Sequence, residues 1–375
     1  MTTAMTTDQL ALLVDGPDSP FIFDVRATEQ FERWRIEGKT RLDVLNVPYW
    51  TVLEDTDTYA DRLPARPVVV VCGHGGSSGM IAEMMDLPNV ANLDGGMKAW
   101  ARTLVPRTLW EDGTHFVVQF DRLAKGCLSY AVGMEGGPMA IIDPAVDPAI
   151  YQRFAEARGA TITDTFDTHL HADHVSVGLS LAEAVSGTYH IAEGDAEQAR
   201  FNYAPLRDGE EFLFGDVTLI VRSVATPGHT PGSTSLEVAG RFLMTGDAVF
   251  VTGVGRPDLG GETEPWAKDL FATIHNRLSP LDPALDVCPA HYTSRAESHD
   301  DGTVRRKLGD LLTNDPVVSI ADEAAFVEHV VTHLGEPPQV YDKIRLVNLG
   351  LEHADTEAVE ELEVGRNECA LSGDA

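Results

Sequence analysis

The stretch Thr168-His169-Leu170-His171-Ala172-Asp173-His174 packs three imidazoles and a carboxylate into one short run. In extended backbone alternate side chains share a face, so His169 and His171 point the same way, and a turn after them brings Asp173 and His174 to a neighbouring position. Donors this dense cost stability unless they are paired or metallated, so the run reads as a site for one or two metal ions. Outward along the chain, His229 in Thr226-Pro227-Gly228-His229-Thr230, Asp247 in Thr245-Gly246-Asp247 and His291 in Cys288-Pro289-Ala290-His291 each follow an apolar run and complete the donor set. His115, His190, His275, His329 and His333 stand alone and read as surface or hydrogen-bonded residues.

The surroundings of this cluster are strand-rich. HFVVQF (115–120), CLSYAVG (127–133) and MAIIDPA (139–145) read as strands and YQRFAEARG (151–159) as a helix; VTLIVRSV (217–224), TSLEVAG (234–240) and RFLMTGD (241–247) read as further strands that carry polar residues at their ends. Before them lies a different pattern. A short apolar run from Phe21 (FIFDV), a charged helical stretch (27–38), an apolar run ending at Pro48 and the fully apolar Val68–Val71 alternate as in a parallel α/β sheet. The pattern breaks around Val105-Pro106-Arg107, which gives two α/β domains, 8–107 and 114–375. No internal repeat or low-complexity stretch is present.

The chain has 375 residues, 43% of them hydrophobic, enough for two packed cores. With 59 acidic against 28 basic residues its formal charge is −31, which repels phosphate backbones and anionic lipid and argues against nucleic-acid or membrane partners. The acidity is dispersed, as suits a solvated surface in concentrated salt. Cys72, Cys127, Cys288 and Cys369 lie far apart without a CxxC pair and read as reduced thiols. There is no basic n-region followed by an apolar core near Met1, and no run approaches a membrane span, so a cytoplasmic protein is expected.

THLHADH, TPGHT, TGD and PAH, in this order, resemble the metallo-β-lactamase fold family from about Thr114 to Ala375. The resemblance implies a four-layer αββα sandwich with the site at one edge, between the sheets. Most of the family hydrolyses with two zinc ions, glyoxalase II cleaving thioesters; a second branch, the persulfide dioxygenases, uses one iron. Thr245 to Leu259, with TGD followed by Gly253-Val254-Gly255-Arg256-Pro257-Asp258, is similar to that second branch, as are FDRLAKGCLSYAVG (120–133) and PPQVYDKIRLVNLG (337–350). By that resemblance His169, His229 and Asp247 form a two-His, one-carboxylate triad on Fe(II), with positions left open for a thiol persulfide and O2. Asp173, His174 and His291 are then unmetallated second-site groups, and His171 stands beside the ligands as a supporting partner. The alternative is a dinuclear zinc thioester hydrolase that uses the whole cluster.

Arg256 is a candidate anchor for an anionic carrier thiol, its competing role being an ion pair with Asp258. Val177 is expected to narrow the pocket floor, since many relatives carry glycine nearer the preceding histidine.

In the first domain, Cys72 stands at a strand end before Gly73-His74-Gly75-Gly76-Ser77-Ser78. Backbone N–H groups of such a loop and the following helix dipole stabilise a thiolate. Together with FDVRATEQF (23–31), Asn46-Val47-Pro48 and LDGGMKAW (93–100), the loop resembles a single rhodanese domain over about Asp8 to Arg107. The resemblance implies a persulfide on Cys72, structural roles for Asp24 and Arg26, and sulfur transfer to a small acceptor. One departure stands out: Ser77 occupies a position that is often arginine, and His74 is the candidate substitute for the missing cation. Without that cation the domain could instead be a docking module. Cys127, Cys288 and Cys369 lack a glycine cradle and read as inert buried thiols. The carrier thiol and any homo-oligomeric state are left open by the sequence.

Overall fold

The computed structural model describes residues 3–215 and 220–370. Three sheets organise the chain. The first is wholly parallel, with β1 (Thr3–Met5), β2 (Phe21–Asp24), β3 (Val44–Asn46), β4 (Val68–Val71) and β5 (Val90–Leu93) in the order β1-β5-β4-β2-β3. Its two faces bury separate clusters: Ile22, Val69, Val71 and Trp100 on one side, Phe23, Val68, Val70 and Ile81 on the other. Burial on both faces is why Val68–Val71 is apolar throughout instead of alternating.

The second sheet runs β12-β11-β10-β9-β8-β7-β6, from β6 (Val105–Glu111), β7 (His115–Arg122), β8 (Cys127–Met134), β9 (Pro138–Ile142), β10 (Thr161–Phe166), β11 (Thr188–Ala192) and β12 (Ala204–Leu206). The third runs in chain order through β13 (Glu211–Leu213), β14 (Ile220–Ala225), β15 (Thr234–Val238), β16 (Phe242–Gly246), β17 (Asp286–Pro289) and β18 (Arg306–Lys307). Period-two alternation decides the layering. Val117, Tyr130, Val132, Ala140 and Ile142 meet Val221, Leu236, Val238, Met244 and Cys288 between the two sheets. The intervening Phe116, Val118, Ala131 and Ile141 face the helices Pro148–Ala157 and Gly178–Val185, while Leu243 and Val287 face helices from Thr263–Ala272 onward. The result is the expected αββα sandwich behind a parallel α/β domain.

Two local readings need correction, and a third is described only in part. The helix expected over 27–38 is only Thr28–Arg33, because Trp34 turns extended and enters the core, where its indole N–H donates to the Ala124 carbonyl at 2.7 Å. The break at 105–107 is the start of an edge strand, β6, paired antiparallel with β7. The strand read at 217–224 is described from Ile220 onward; its first three residues lie outside the described residues.

The domains interlock. Leu123 and Ala124, at the turn between β7 and β8, insert into the core of the first domain beside Leu10, Trp34 and Trp100. Beside them, buried Arg295 donates to Asp121 at 2.5 Å and to Asp15 of the first domain, and the Tyr292 hydroxyl donates to the other Asp121 oxygen at 2.9 Å. Removing one member of a buried pair strands the other charge. Asp121→Ala should therefore lower stability by on the order of 3 kcal/mol, read from urea denaturation; a loss within the scatter of surface substitutions would show that the pair is not what holds Arg295.

Candidate functional site

All the ligand loops emerge at one edge of the sandwich. β10 ends at Phe166 and leads into the 167–177 loop, β14 into the His229 loop, β16 into Asp247 and β17 into His291. Gly246 takes φ +53°, and a Cβ there would lie 2.5 Å from the Thr168 hydroxyl, so only glycine lets β16 turn Asp247 inward.

His169, His229 and Asp247 bring donor atoms within 4.8 Å of one another, all buried. Asp247 Oδ2 lies 3.6 Å from His169 Nε2 and 3.5 Å from His229 Nε2, and none of these three atoms has a hydrogen-bond partner. Their far sides are fixed. His229 Nδ1 donates to the Arg256 carbonyl at 2.8 Å; His169 Nδ1 bonds the Thr168 hydroxyl at 2.9 Å, which in turn donates to Asp143 at 3.0 Å. Such bonds hold the Nε2 lone pairs inward. Burial keeps both imidazoles below their ordinary pKa and so neutral, with His171 adding to the effect at His169. Asp247 stays ionised: burial alone would raise its carboxyl, but His291, His169 and His229 hold it well below the carboxylate range. Two neutral imidazoles, one carboxylate and three unpartnered buried atoms suit a divalent cation.

His171 is not in this group. Its Nε2 faces Asp143 at 3.2 Å and Asp167 at 3.8 Å, and the three form a separate cluster, while its Nδ1 is buried without a partner. Asp173, His174 and His291 make a third group together with Cys127. They satisfy one another in part: His174 Nδ1 is 3.0 Å from Asp173, His291 Nδ1 is 2.5 Å from Asp247 Oδ1 and the Cys127 thiol donates to Asp173 at 3.2 Å, while Nε2 of His174 and of His291 are buried without a partner. The His174 imidazole, which burial would lower, is pushed up to about 10 chiefly by the Asp173 carboxylate. Cys127 is therefore not a remote inert thiol, and Cys369 also approaches Asp247 and His291. Nothing in their local sequence signals this, because the β-sheet and the 369 segment bring them in from afar.

Arg256 does not have the free guanidinium expected of a carrier anchor. It donates to Asp258 at 2.7 and 2.9 Å, to the Gly335 carbonyl at 2.5 Å and to the Glu368 carbonyl at 3.2 Å, and so fastens three segments together. Val177 packs with the outer core of Phe120 and Tyr151 instead of flooring a pocket. A cavity of about 420 Å³ lies beside the ligand loops, lined by Leu170, Thr230, Trp266, Asp342 and Arg345 among others. Asp195 was not legible as a site residue. It accepts from Leu170 N at 2.7 Å, Thr230 Oγ1 at 2.6 Å and Gly232 N at 2.7 Å, tying the His169 and His229 loops together. Asn348 likewise donates to the carbonyls of His171 and His174, both at 2.9 Å.

In the first domain, Cys72 follows β4 and is buried, and the Gly75 amide and the Ser78 hydroxyl both donate to its sulfur at 3.1 Å. Gly96, at φ +59°, lies so close that a Cβ would be 2.4 Å from the Cys72 carbonyl. Arg26 is committed to Asp24, at 2.6 Å, and to the Trp34 carbonyl. His74 is exposed on the rim of the Cys72 pocket. Ser77 lines that pocket and supplies no charge.

Two facing sheets with a histidine and aspartate cluster at their edge define a metal-binding metallo-β-lactamase fold. Residues 6–103 match the Rhodanese-like domain family and residues 124–298 the Metallo-beta-lactamase superfamily. The chain is 35% identical over 173 residues to a hydroxyacylglutathione hydrolase of Anaeromyxobacter dehalogenans, 46% of this chain and 64% of that one. It is 33% identical over 163 residues to the probable polyketide biosynthesis zinc-dependent hydrolase BaeB of Bacillus velezensis, 43% of this chain and 67% of that one. Thus it spans somewhat less than two thirds of the first of these relatives. Among solved structures, a metallo-beta-lactamase from Staphylococcus aureus superposes with TM-score 0.57 at 27% identity, covering 63% of this chain and 73% of that one. ETHE1 from Myxococcus xanthus superposes with TM-score 0.53 at 24% identity, covering 66% and 100%, a likeness of fold. The chain belongs to the metallo-beta-lactamase superfamily and carries a rhodanese-like domain ahead of that fold. No helix among the described residues is long and apolar enough to cross a membrane.

Burial pushes the Cys72 thiol up, but hydrogen bonds from the Ser78 hydroxyl and from the Ser78, His74 and Gly75 amides outweigh it, leaving the pKa below that of an ordinary thiol. Iodoacetamide labelling of Cys72 against pH should show its midpoint below that of a free cysteine, and Ser78→Ala should move the midpoint up; an unmoved midpoint would show that the hydroxyl does not stabilise the thiolate.

Proposed function

We propose that the protein is a mononuclear iron(II) persulfide dioxygenase joined to a sulfurtransferase domain. The observation that supports this reading is that His169, His229 and Asp247 converge with one unpartnered atom each in a group to which His171, its Nε2 turned to Asp143 and Asp167, does not belong. A two-His, one-carboxylate set leaves coordination positions open, as a reaction between two small reactants requires. When bound, the metal supplies Lewis acidity and redox capacity at those open positions.

The overall change takes a thiol persulfide, O2 and water to the free thiol, sulfite and two protons, the outer sulfur being oxidised and O2 reduced. The chain's own residues set the stage for it. Thr168, Asp143 and the Arg256 carbonyl hold the two imidazole rings in place, and Asp195 keeps their loops in register. The cavity of about 420 Å³ beside Leu170 and Thr230, with Arg345 and Asp342 on its wall, is the space next to the ligand loops for a carrier thiol. At the other domain, Gly75 and Ser78 provide donors to sulfur on Cys72.

A second reading, a dinuclear zinc thioester hydrolase, is favoured by the relatives' names, hydroxyacylglutathione hydrolase above all, and by the buried group of Asp173, His174 and His291 next to Asp247. Metal analysis of protein purified without oxygen separates the two, together with an oxygen electrode and a low-molecular-weight thiol persulfide. One iron per chain and oxygen uptake are expected, with His229→Ala losing the metal and His171→Ala retaining it. Two zinc ions per chain, thioester cleavage and no oxygen uptake would overturn the proposal in favour of the hydrolase.

A further inference from the structure

One cavity reverses the charge of the chain. About 570 Å³ in volume, it lies between the loop 35–42 of the first domain and Ser294 and Arg295 of the second, and its charged lining is Arg35, Lys39, Arg41 and Arg295 against Glu37 alone. In a sequence with 59 acidic and 28 basic residues, four cations to one carboxylate run against the overall bias. The cavity beside the metal loops follows that bias, with Asp195, Glu197 and Asp342 against Arg345.

The loop that carries these cations is held by the first domain. Ile36 and Leu42 are buried, the Lys39 amide donates to Asp15 at 2.8 Å, and Gly38 lies so close to the end of the helix Thr7–Leu13 that a Cβ would be 2.4 Å from the Val14 carbonyl. The charges on the loop are only partly spent. Arg35 faces Glu37 at 3.5 Å, both of them partly exposed, and Glu37 also accepts from Arg366. Lys39 meets Asp300 of the second domain at 2.9 Å, but that carboxylate is fully exposed and water screens the pair. Arg41 is exposed and makes no ion pair among the described residues. Arg295 differs: buried and bonded to Asp121 and Asp15, it closes the floor and offers no free contact. Like charges gathered on one rim repel one another, which an anion among them reverses. Next to the cations is an apolar ledge, made by Phe31, whose ring centroid is 5.6 Å from the Arg35 guanidinium, and by Ile36 and Leu42.

We propose that this cavity is a binding site for a small phosphate-bearing ligand, the free ion or a monoester, whose phosphate oxygens are taken by Arg35, Lys39 and Arg41. Guanidinium forks match phosphate oxygens in pairs, and the ammonium adds a point charge. The volume falls within the range of small-molecule sites, about 300–1,000 Å³, so an organic group has room on the Phe31 ledge. The site stands apart from the metal cluster and from Cys72 and does not depend on the chemistry of either. Lys39 and Arg295 both bond across the domain boundary, so a ligand seated between them braces that boundary and stabilises the assembled chain by mass action.

The test is calorimetric titration of the full, metal-loaded chain with inorganic phosphate and, separately, with adenosine monophosphate, at an ionic strength held constant with potassium chloride. Saturable binding is expected, and the tighter of the two arms tells a free ion from a monoester. Arg35→Gln/Arg41→Gln, which alters two exposed side chains, should weaken that binding about tenfold or more, the loss of charged hydrogen bonds. Metal content and the unfolding temperature without ligand should stay unchanged in this variant, while the rise in unfolding temperature on adding ligand disappears. Arg222→Gln/Lys268→Gln removes the same charge elsewhere on the surface and should leave the affinity as it was. No saturable binding in either arm, an equal loss in the second variant, or binding that Arg35→Gln/Arg41→Gln does not move, as when the phosphate sits on the metal, overturns the site.

Discussion

Three buried lone-pair donors with nothing to bond to are the constraint around which the C-terminal domain is organised. Nε2 of His169, Nε2 of His229 and Oδ2 of Asp247 are buried and face one another. A protein pays heavily for such an arrangement unless a cation occupies it. Much of the surrounding structure serves to keep the three atoms aimed inward: Asp195 ties two loops, Asp143 acts through Thr168, Gly246 bends the chain at the end of β16, and Asn348 holds the His171–His174 turn from a distant helix.

The second group, Asp173, His174 and His291, obeys a different balance. Its charges mostly neutralise one another, and Cys127 adds a thiol donor. Aspartate between two imidazoles forms an internal ion-pair network. Both groups nevertheless hold buried nitrogens without partners, Nε2 of His169 and His229 in one and Nε2 of His174 and His291 in the other.

The two domains share more than a linker. The β7–β8 turn is part of the first domain's core, Arg295 bridges Asp121 and Asp15, and Arg122 bonds Ala101 on one side and Glu363 on the other. Glu363 in turn accepts from Val175, next to His174. A short chain of hydrogen bonds thus runs from the domain interface to the edge of the metal cluster. The thiol loop and the metal loops are parts of one packed unit.

Local pattern was enough for the two-domain α/β organisation and for the metal-binding run, whereas the αββα sandwich was an implication of the family resemblance. Apolar alternation, a parallel-sheet strand with no polar positions, and donors crowded at strand ends are all short-range signals. The early end of the helix at Arg33 was not legible, because Trp34 leaves the helix for a partner ninety residues away, Ala124. Nor was the role of Arg256, whose partners at Gly335 and Glu368 are far along the chain. Cys127, Cys369, Asp195 and Asn348 carry no local motif and reach the site only through strand pairing and helix docking. How the histidines of the 169–174 run are oriented was likewise decided by tertiary structure: alternation puts His169 and His171 on the same face, but Asp143 and Asp167, brought alongside by β9 and β10, take the Nε2 of His171 and leave its Nδ1 unpartnered, while Nε2 of His169 meets His229 and Asp247.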